Sequence, residues 1–142
     1  MRLAREKAEI VLSRRPASQV IGADTVVEVG GVLLGKPRDE ADARRMLRAL
    51  SGRTHRVITG VSIRSRGGWS NHSACRVSSV RFAPLTRSQI EWYVATGEPM
   101  DKAGAYAVQG RASLFVRELR GSYSNVVGLP LDVVFGVLGL PA

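Results

Sequence analysis

The spacing of apolar residues along the chain predicts a mixture of helices and strands. Apolar positions recur every three or four residues over 2–14 and again over 40–50, which is the period of an amphipathic helix. β-Branched residues are frequent over 19–29, and 54–66 and 69–82 are two long runs of β type, so long strands are expected in these segments. Because both kinds of element occur along one chain, the sequence favours an α/β or α+β fold.

The residues between these segments indicate how the elements are joined. The pairs Gly30-Gly31 and Gly67-Gly68 are two-residue hairpin signals, so each is expected to connect antiparallel strands. Asp39 is placed to cap the helix that follows it, and Thr86 with Gln89 forms the pattern of a capping box. The sheet is therefore expected to be mixed or mainly antiparallel, with long hairpins and helices on its flanks.

Shorter elements are expected in the last third of the chain. Short strands are predicted over 106–109 and 114–119, and an apolar helix is predicted over 131–138, behind Pro130. No repeat, linker or low-complexity segment interrupts the 142 residues. A single domain spanning 1–142 is therefore expected.

Composition narrows the class of protein. Apolar residues make up 44% and charged residues 23%, with a mean hydropathy of -0.02, which excludes disorder as the default state. No apolar run reaches the roughly 18 residues of a membrane span, and the first residues lack the pattern of a signal peptide, so a cytoplasmic protein is expected. The lone Cys75 is expected in the core. His55 and His72 lack ligand spacing and are expected to be structural or surface residues.

Charge is unevenly distributed along the chain. The total is 21 basic and 12 acidic residues, a net charge of +9, and the segment from Ala43 to Ile90 contains ten arginines and no acidic residue. Such a segment suits a polyanion, whether nucleic acid, a membrane surface or a phosphorylated small molecule, and it equally suits a solvated surface. The chain has only three lysines, Lys7, Lys36 and Lys102. Each is a candidate for a place that needs a compact ammonium rather than a planar guanidinium.

Asp24 is the first candidate for chemistry, because it lies inside the apolar run IGADTVV. A carboxylate in such a segment carries a desolvation cost, which is usually offset by a metal, a cation or a reacting proton. The alternative is an aspartate at a strand end that faces solvent. Thr25 is adjacent and could exchange a hydrogen bond at the same place.

Three further elements carry candidate binding groups. Lys36, between a glycine and a proline, lies on a stiff loop that could present its ammonium to a phosphate, although an ordinary surface lysine is the alternative. Asp101 and Lys102 precede small residues that allow backbone to approach a ligand, and a simple turn ion pair is the alternative. Gln109 carries a primary amide, which can donate to a carbonyl and accept from a ring N–H, as the edge of uracil or thymine requires.

In this order, the motifs resemble those of the Maf family of nucleoside triphosphate pyrophosphatases, whose fold is similar to that of the inosine triphosphate pyrophosphatases. The matching segments are IGADTVV at 21–27, GKP at 35–37, ALSGRTHRVITGV at 49–61, DKAGAYAVQG at 101–110 and GSYSNVVGLPL at 121–131. The last two resemble the branch of the family that acts on dTTP and UTP. The resemblance implies an α/β fold with a central cleft.

The resemblance also implies a reaction, the hydrolysis of dTTP, UTP or a modified pyrimidine nucleotide to the monophosphate and pyrophosphate. Asp24 would accept the proton of the attacking water or bind the divalent cation, Mg²⁺ or Mn²⁺, and Asp101 would help to hold that cation. The residues implied for substrate binding and specificity are Thr25 and Gln109 for the base, and Lys36 and Lys102 for the phosphates. The implied partner is a small-molecule nucleotide rather than a membrane or nucleic acid, and homodimer formation is left open.

One departure from the family pattern concerns the beginning of the chain. Members of the family carry a Ser-x-Ser-Pro-Arg-Arg loop and an acidic residue before the helix that contains Arg-Glu-Lys-Ala. Here that helix motif already stands at Arg5–Ala8, and the similar segment Ser13–Pro16 follows it. The expectation is a domain truncated at its N-terminus relative to the family, with low activity on its own. The alternative function is a weakly active or inactive basic module that binds nucleotide, nucleic acid or a partner protein.

Overall fold

The computed structural model describes residues 1–67 and 71–139, and its centre is a five-stranded sheet with the order β2-β1-β3-β4-β5. All four pairings between these strands are antiparallel, so the sheet is the mainly antiparallel one of the two expected kinds. The strands are β1 Gln19–Val29, β2 Val32–Leu34, β3 Thr54–Ser65, β4 His72–Phe82 and β5 Val116–Arg120.

Within the described residues, five α-helices flank the sheet, which confirms the expected mixture of elements. They are α1 Arg2–Arg14, α2 Glu40–Leu50, α3 Arg87–Ala95, α4 Tyr123–Val127 and α5 Leu131–Leu138. Three short 3₁₀ segments connect α3 to β5, at Glu98–Asp101, Ala103–Ala105 and Arg111–Phe115.

The turn and cap signals are confirmed where the structure describes them. Gly30 and Gly31 form the turn between β1 and β2 with φ values of 57° and 82°, which glycine adopts without strain. Asp39 accepts a hydrogen bond from the Asp42 amide at 2.7 Å and so caps α2. The capping box at the start of α3 is also present. The second predicted hairpin turn includes Gly68, which lies outside the described residues, as do the first two positions predicted for β4.

Two predicted strands differ from the structure. The strand predicted over 106–109 is wrong, because the backbone turns there and the Gly110 amide donates to the carbonyl of Ala107 at 3.0 Å. The strand predicted over 114–119 begins later, at Val116, because the residues before it form the last 3₁₀ segment. Both segments are apolar enough to be strands, yet only the second has β4 as a pairing partner.

The two faces of the sheet are covered differently. One face packs against α2 and α3 through a large apolar cluster that includes Val27, Val57 and Val80, while a smaller cluster around Val61 lies under α5. Helix α1 crosses the opposite face, over β1 and β3. Cys75 lies on β4 beyond the helix and is exposed, so the prediction that it is a core residue is wrong.

The close approach of α1 to the sheet depends on Gly22. A Cβ there would collide with the carbonyl oxygen of Ala4 and lie 2.9 Å from the backbone nitrogen of Ala8. We expect Gly22→Ala to lower the free energy of unfolding by about 1–3 kcal/mol, because the helix must move off the strand. Urea denaturation measures this, with Gly136→Ala as the matched control, since no other part of the described structure lies within 4 Å of a Cβ on Gly136. Equal stabilities for the two variants would contradict the packing described.

Candidate functional site

A cavity of about 190 Å³ opens beside β1, where the strand continues beyond its short partner. Strand β2 pairs with β1 only over Val27–Val29, so the preceding part of that edge is not covered by β2. All six residues selected from the sequence line this cavity: Asp24, Thr25, Lys36, Asp101, Lys102 and Gln109. The structure therefore brings together residues from β1, from the loop after β2 and from the turns that follow α3.

Asp24 is paired with a lysine from α1. Its side chain is 24% exposed and accepts a hydrogen bond from Nζ of Lys7 at 2.6 Å, and the same ammonium lies 3.3 Å from the carbonyl oxygen of Ala23. Lys7 also lines the cavity. The sequence marked Lys7 only as one of three lysines, because nothing in the local pattern of α1 indicates that this residue meets a strand.

The loops that carry Lys36 and Lys102 are tied together by backbone. The amide of Gly104 donates to the carbonyl of Gly35 at 3.0 Å. Gly104 has a φ of +70°, and a Cβ on it would lie 2.8 Å from Cγ2 of Val27. A glycine is therefore needed for both its backbone conformation and its close approach to β1.

Asp101 is the ion-pair partner of Lys102 and also feels the charge of Lys36. Nζ of Lys102 lies 2.7 Å from its Oδ1. The hydrogen bond and charge of Lys102, with a smaller effect of the Lys36 ammonium, hold the pKa of this exposed carboxyl below its usual range. Two lysines thus line the cavity, and the exposed carboxylate of Asp101 is the ion-pair partner of Lys102.

Thr25 belongs to a chain of hydrogen bonds behind the cavity wall. The hydroxyl of Thr59 donates to the carbonyl of Asn125 at 3.1 Å, so in the 2.9 Å contact between the two threonines Thr25 is the donor. The oxygen of Thr25 is left as an acceptor. Asn125 is fully buried, and its amide donates to the carbonyl of Val57 and the hydroxyl of Ser78. The sequence identified this segment only as a polar loop before the last helix.

The cavity wall is completed by Tyr106, which is buried and bonded to a buried histidine. Its hydroxyl lies 2.7 Å from Nε2 of His55, and the two rings contact edge to face. Burial lowers the pKa of His55 to about 4 and raises that of Tyr106 above its usual range. His55 is thus a neutral structural residue, while His72 is exposed, as the sequence predicts for the pair.

The buried histidine predicts a stability that depends on pH. Its pKa is about 4 in the folded chain against 6.5 for an ordinary histidine, so the unfolded chain binds more protons as the pH falls through 6.5. We expect the protein to lose about 2 kcal/mol of unfolding free energy between pH 7 and pH 5, before the carboxylates titrate. Urea denaturation at both pH values should show this loss in the parent and in His72→Gln, and a much smaller loss in His55→Gln. A loss that persists in His55→Gln would contradict it.

The resemblance implies a divalent cation, which carboxylates of the site would have to hold. Residues 1–67 and 71–139 contain no group of three or more His, Cys, Asp or Glu side chains that could hold a metal ion. Asp24 and Asp101 do line the same cavity. Magnesium is commonly held by one or two carboxylates together with substrate phosphates, so these residues fit a cation that arrives with a nucleotide.

The fold and the site define an α/β protein with a cleft at a sheet edge, lined by lysines, carboxylates and one amide. The chain belongs to the Maf-like protein family, whose model matches residues 1–140. This confirms the family seen in the motifs. Across the described part of the chain, no helix is long and apolar enough to cross a membrane.

Curated relatives agree with the branch that the motifs indicate. A dTTP/UTP pyrophosphatase of Anaeromyxobacter dehalogenans (strain 2CP-C) is 56% identical over 133 residues, which are 92% of this chain and 66% of that protein. The enzyme of the same name from Symbiobacterium thermophilum is also 56% identical, with the same coverage. That from Myxococcus xanthus is 50% identical and covers 99% of this chain and 71% of that protein. The chain thus spans about two thirds of the length of these relatives.

Proposed function

We propose that the protein is a nucleoside triphosphate pyrophosphatase that hydrolyses dTTP or UTP to the monophosphate and pyrophosphate. The observation that carries this proposal is the convergence of the six selected residues on one cavity. The names of the relatives support the choice of nucleotide. Modified pyrimidine nucleotides belong to the same proposed substrate class.

The triphosphate is bound by the two lysines on neighbouring loops. Lys36 and Lys102 line the cavity, and the backbone bond between Gly104 and Gly35 keeps their loops together. Phosphate oxygens replace Asp101 as the partner of Lys102 when the nucleotide enters. Preorganised positive charge of this kind stabilises the charge that develops on transferring phosphoryl groups.

Asp24 orients the attacking water and accepts its proton. The oxygen of the water forms a bond to phosphorus, the bridge between the α and β phosphates breaks, and pyrophosphate leaves with the electron pair of that bond. The ammonium of Lys7, 2.6 Å from Oδ1 of Asp24, holds the carboxylate in place before the reaction. When bound by Asp24 and Asp101, Mg²⁺ or Mn²⁺ would supply further neutralisation of the phosphate charge.

The base is selected by Thr25 and Gln109. The amide of Gln109 can donate to the 4-carbonyl of uracil or thymine while it accepts from the ring N–H. Thr25 offers an acceptor oxygen, because its own proton is given to Thr59. Adenine presents an amino group and a bare ring nitrogen at this edge, so a fixed amide pairs with it less well than with uracil or thymine.

A nucleotide panel tests the proposal. The chain and the longest in-frame version of it are incubated with dTTP, UTP, CTP and GTP, with Mg²⁺ or Mn²⁺ present. Pyrophosphate is converted to phosphate by added inorganic pyrophosphatase and measured with malachite green. We expect release from dTTP and UTP first, with more from the longer version. No pyrophosphate from any nucleotide in either version would contradict the proposal.

A second candidate function is a basic module that binds nucleic acid, a nucleotide or a partner protein with little catalysis. It is favoured by the arginines between positions 43 and 90, of which eight are exposed: Arg45, Arg48, Arg53, Arg56, Arg66, Arg76, Arg81 and Arg87. Salt-dependent gel shifts with DNA or RNA, unchanged in Asp24→Asn, would support this function. Competition of such binding by dTTP would instead support the nucleotide site.

Three expectations stay predictions. They are the cytoplasmic location, the oligomeric state, for which a homodimer is left open, and the extent of the domain relative to the family. Size-exclusion chromatography with light scattering measures the oligomeric state directly. The panel above, run on both versions of the chain, addresses the third.

A further inference from the structure

The turn that carries Gln109 is held from behind by side chains that do not line the cavity. The amide of Ala107, two residues before Gln109, donates to the hydroxyl of Tyr93 at 3.1 Å. The amide of Arg111, two residues after it, donates to Oε1 of Glu98 at 3.1 Å. Tyr93 is fully buried in the last turn of α3, and Glu98 is the first residue of the 3₁₀ segment that follows this helix. The two ends of the turn are therefore fixed by one neighbouring pair of side chains.

The carboxylate of Glu98 lies directly against this turn. A Cβ on Gly110 would collide with it, so a side chain there would displace the carboxylate from its present place. Burial acts to raise the pKa of Glu98, but hydrogen bonds from the Tyr93 hydroxyl and from the amides of Arg111 and Ala112 outweigh it and keep the pKa low. The side chain is only 16% exposed, and its ion pair with the Arg111 guanidinium at 3.8 Å is the outermost contact. Glu98 is thus an anion whose Oε1 accepts a hydrogen bond from a backbone amide of the turn.

We infer that Glu98 and Tyr93 are positioning residues that set the base selectivity of the enzyme through Gln109. The inference rests on the proposed function, in which Gln109 pairs with uracil or thymine. Gln109 itself is exposed on its turn. Its amide can make two hydrogen bonds to a base at once only if the backbone on both sides is held still, and the structure provides that restraint through the bonds at Ala107 and Arg111.

The chemistry of the bases explains why selectivity should respond. Uracil and thymine present a carbonyl and a ring N–H where cytosine presents an amino group and a bare ring nitrogen. A fixed amide distinguishes these patterns, because the wrong base leaves polar groups unpaired. A mobile amide distinguishes them less, so loosening the turn lowers the preference more than it lowers turnover.

The test compares kcat/KM for UTP and CTP in the parent, Glu98→Ala, Glu98→Gln and Tyr93→Phe. Glu91→Ala is the matched control, because its partner Arg44 lies on α2 and it does not contact the turn. We expect the ratio of UTP to CTP to fall about tenfold in Glu98→Ala, which is the effect of losing roughly one hydrogen bond. Glu98→Gln keeps an acceptor oxygen and should therefore retain part of the preference for UTP over CTP. The control should keep the parent ratio.

A second comparison excludes a general structural effect. In the Gln109→Ala background, Glu98→Ala should change the ratio no further, because the residue through which it acts is gone. A ratio that stays at the parent value in Glu98→Ala, or one that falls further in the double variant, would overturn the inference.

Binding separates this inference from the hydrolytic proposal. The affinities of non-hydrolysable α,β-methylene analogues of UTP and CTP are measured by calorimetry in the same variants. A selective parent that loses selectivity in Glu98→Ala supports the inference even without turnover. Hydrolysis with an unchanged ratio overturns the inference alone, and a parent that binds neither analogue overturns both.

Discussion

Replacing Asp24 by asparagine should lower kcat for dTTP hydrolysis by about 10²- to 10⁴-fold, the usual contribution of a positioned general base. The amide keeps the size of the side chain but cannot accept the proton of water. It also leaves Lys7 without the carboxylate that now lies 2.6 Å from its ammonium. Steady-state kinetics with dTTP measure the loss, and urea denaturation confirms that the variant remains folded.

The matched control for this variant is Glu28→Gln. Glu28 lies on the same strand and is likewise paired with a cation, Arg56, at 2.7 Å, yet it does not line the cavity. It should keep nearly all activity. Similar losses in the two variants would show that any carboxylate on β1 matters only for the fold, and full activity in Asp24→Asn would remove Asp24 from the proposed reaction.

Replacing Lys36 or Lys102 by alanine is expected to lower kcat/KM by about 10²- to 10³-fold each, as the loss of one preorganised charge-stabilising group does. Both lysines line the same cavity, so both can reach the same group of phosphates. The effect should weaken at high salt, where the remaining attraction is screened.

Two further variants test whether the shape and the position of the positive charge matter. Lys36→Arg keeps the charge but replaces a compact ammonium by a planar fork, and it should recover only part of the activity. Arg48→Ala removes an exposed positive charge from α2, outside the cavity, and should change kcat/KM little. If Arg48→Ala and Lys36→Ala lowered kcat/KM equally, the lysines would contribute only to the general field of the protein.

Most elements of the fold could be predicted from the sequence, because their signals are local. The period of apolar residues in α2 and the capping aspartate Asp39 lie within a few residues of each other. The turn at Gly30-Gly31 is equally local. The strand predicted over 106–109 is wrong because its structure depends on contacts that are distant in the sequence. That segment is apolar because it is buried against α3 and the sheet, and only the absence of a pairing strand among the described residues makes it a turn.

In the candidate site, too, the residues with local signals could be predicted and their tertiary contacts could not. The cavity contains Asp24 and Gln109 together, although they were selected from separate motifs. The partners that position them were not predictable, since Lys7 reaches Asp24 across the packing of α1 on Gly22 and Glu98 reaches the Gln109 turn through backbone amides. Contacts of this kind depend on tertiary packing and leave no spacing in the sequence.

The exposure of Cys75 has a comparable explanation. The prediction used the general tendency of a free cysteine to be buried. The partner of Cys75, Gly60 on β3, is covered by Met1, at the start of α1. Helix α1 packs on β1 and β3, so β4 is exposed to solvent on that face of the sheet. The position of α1 across the sheet decides burial here, and hydropathy along β4 does not.

Phosphorus NMR of the products of dTTP hydrolysis tests the central claim most directly. The account predicts that dTTP is replaced by equal amounts of dTMP and pyrophosphate, because the bond that breaks lies between the α and β phosphates. It also predicts that Asp24→Asn, at equal protein concentration, forms neither product on the same timescale. The appearance of dTDP and inorganic phosphate as the first products, or undiminished dTMP formation in Asp24→Asn, would contradict it.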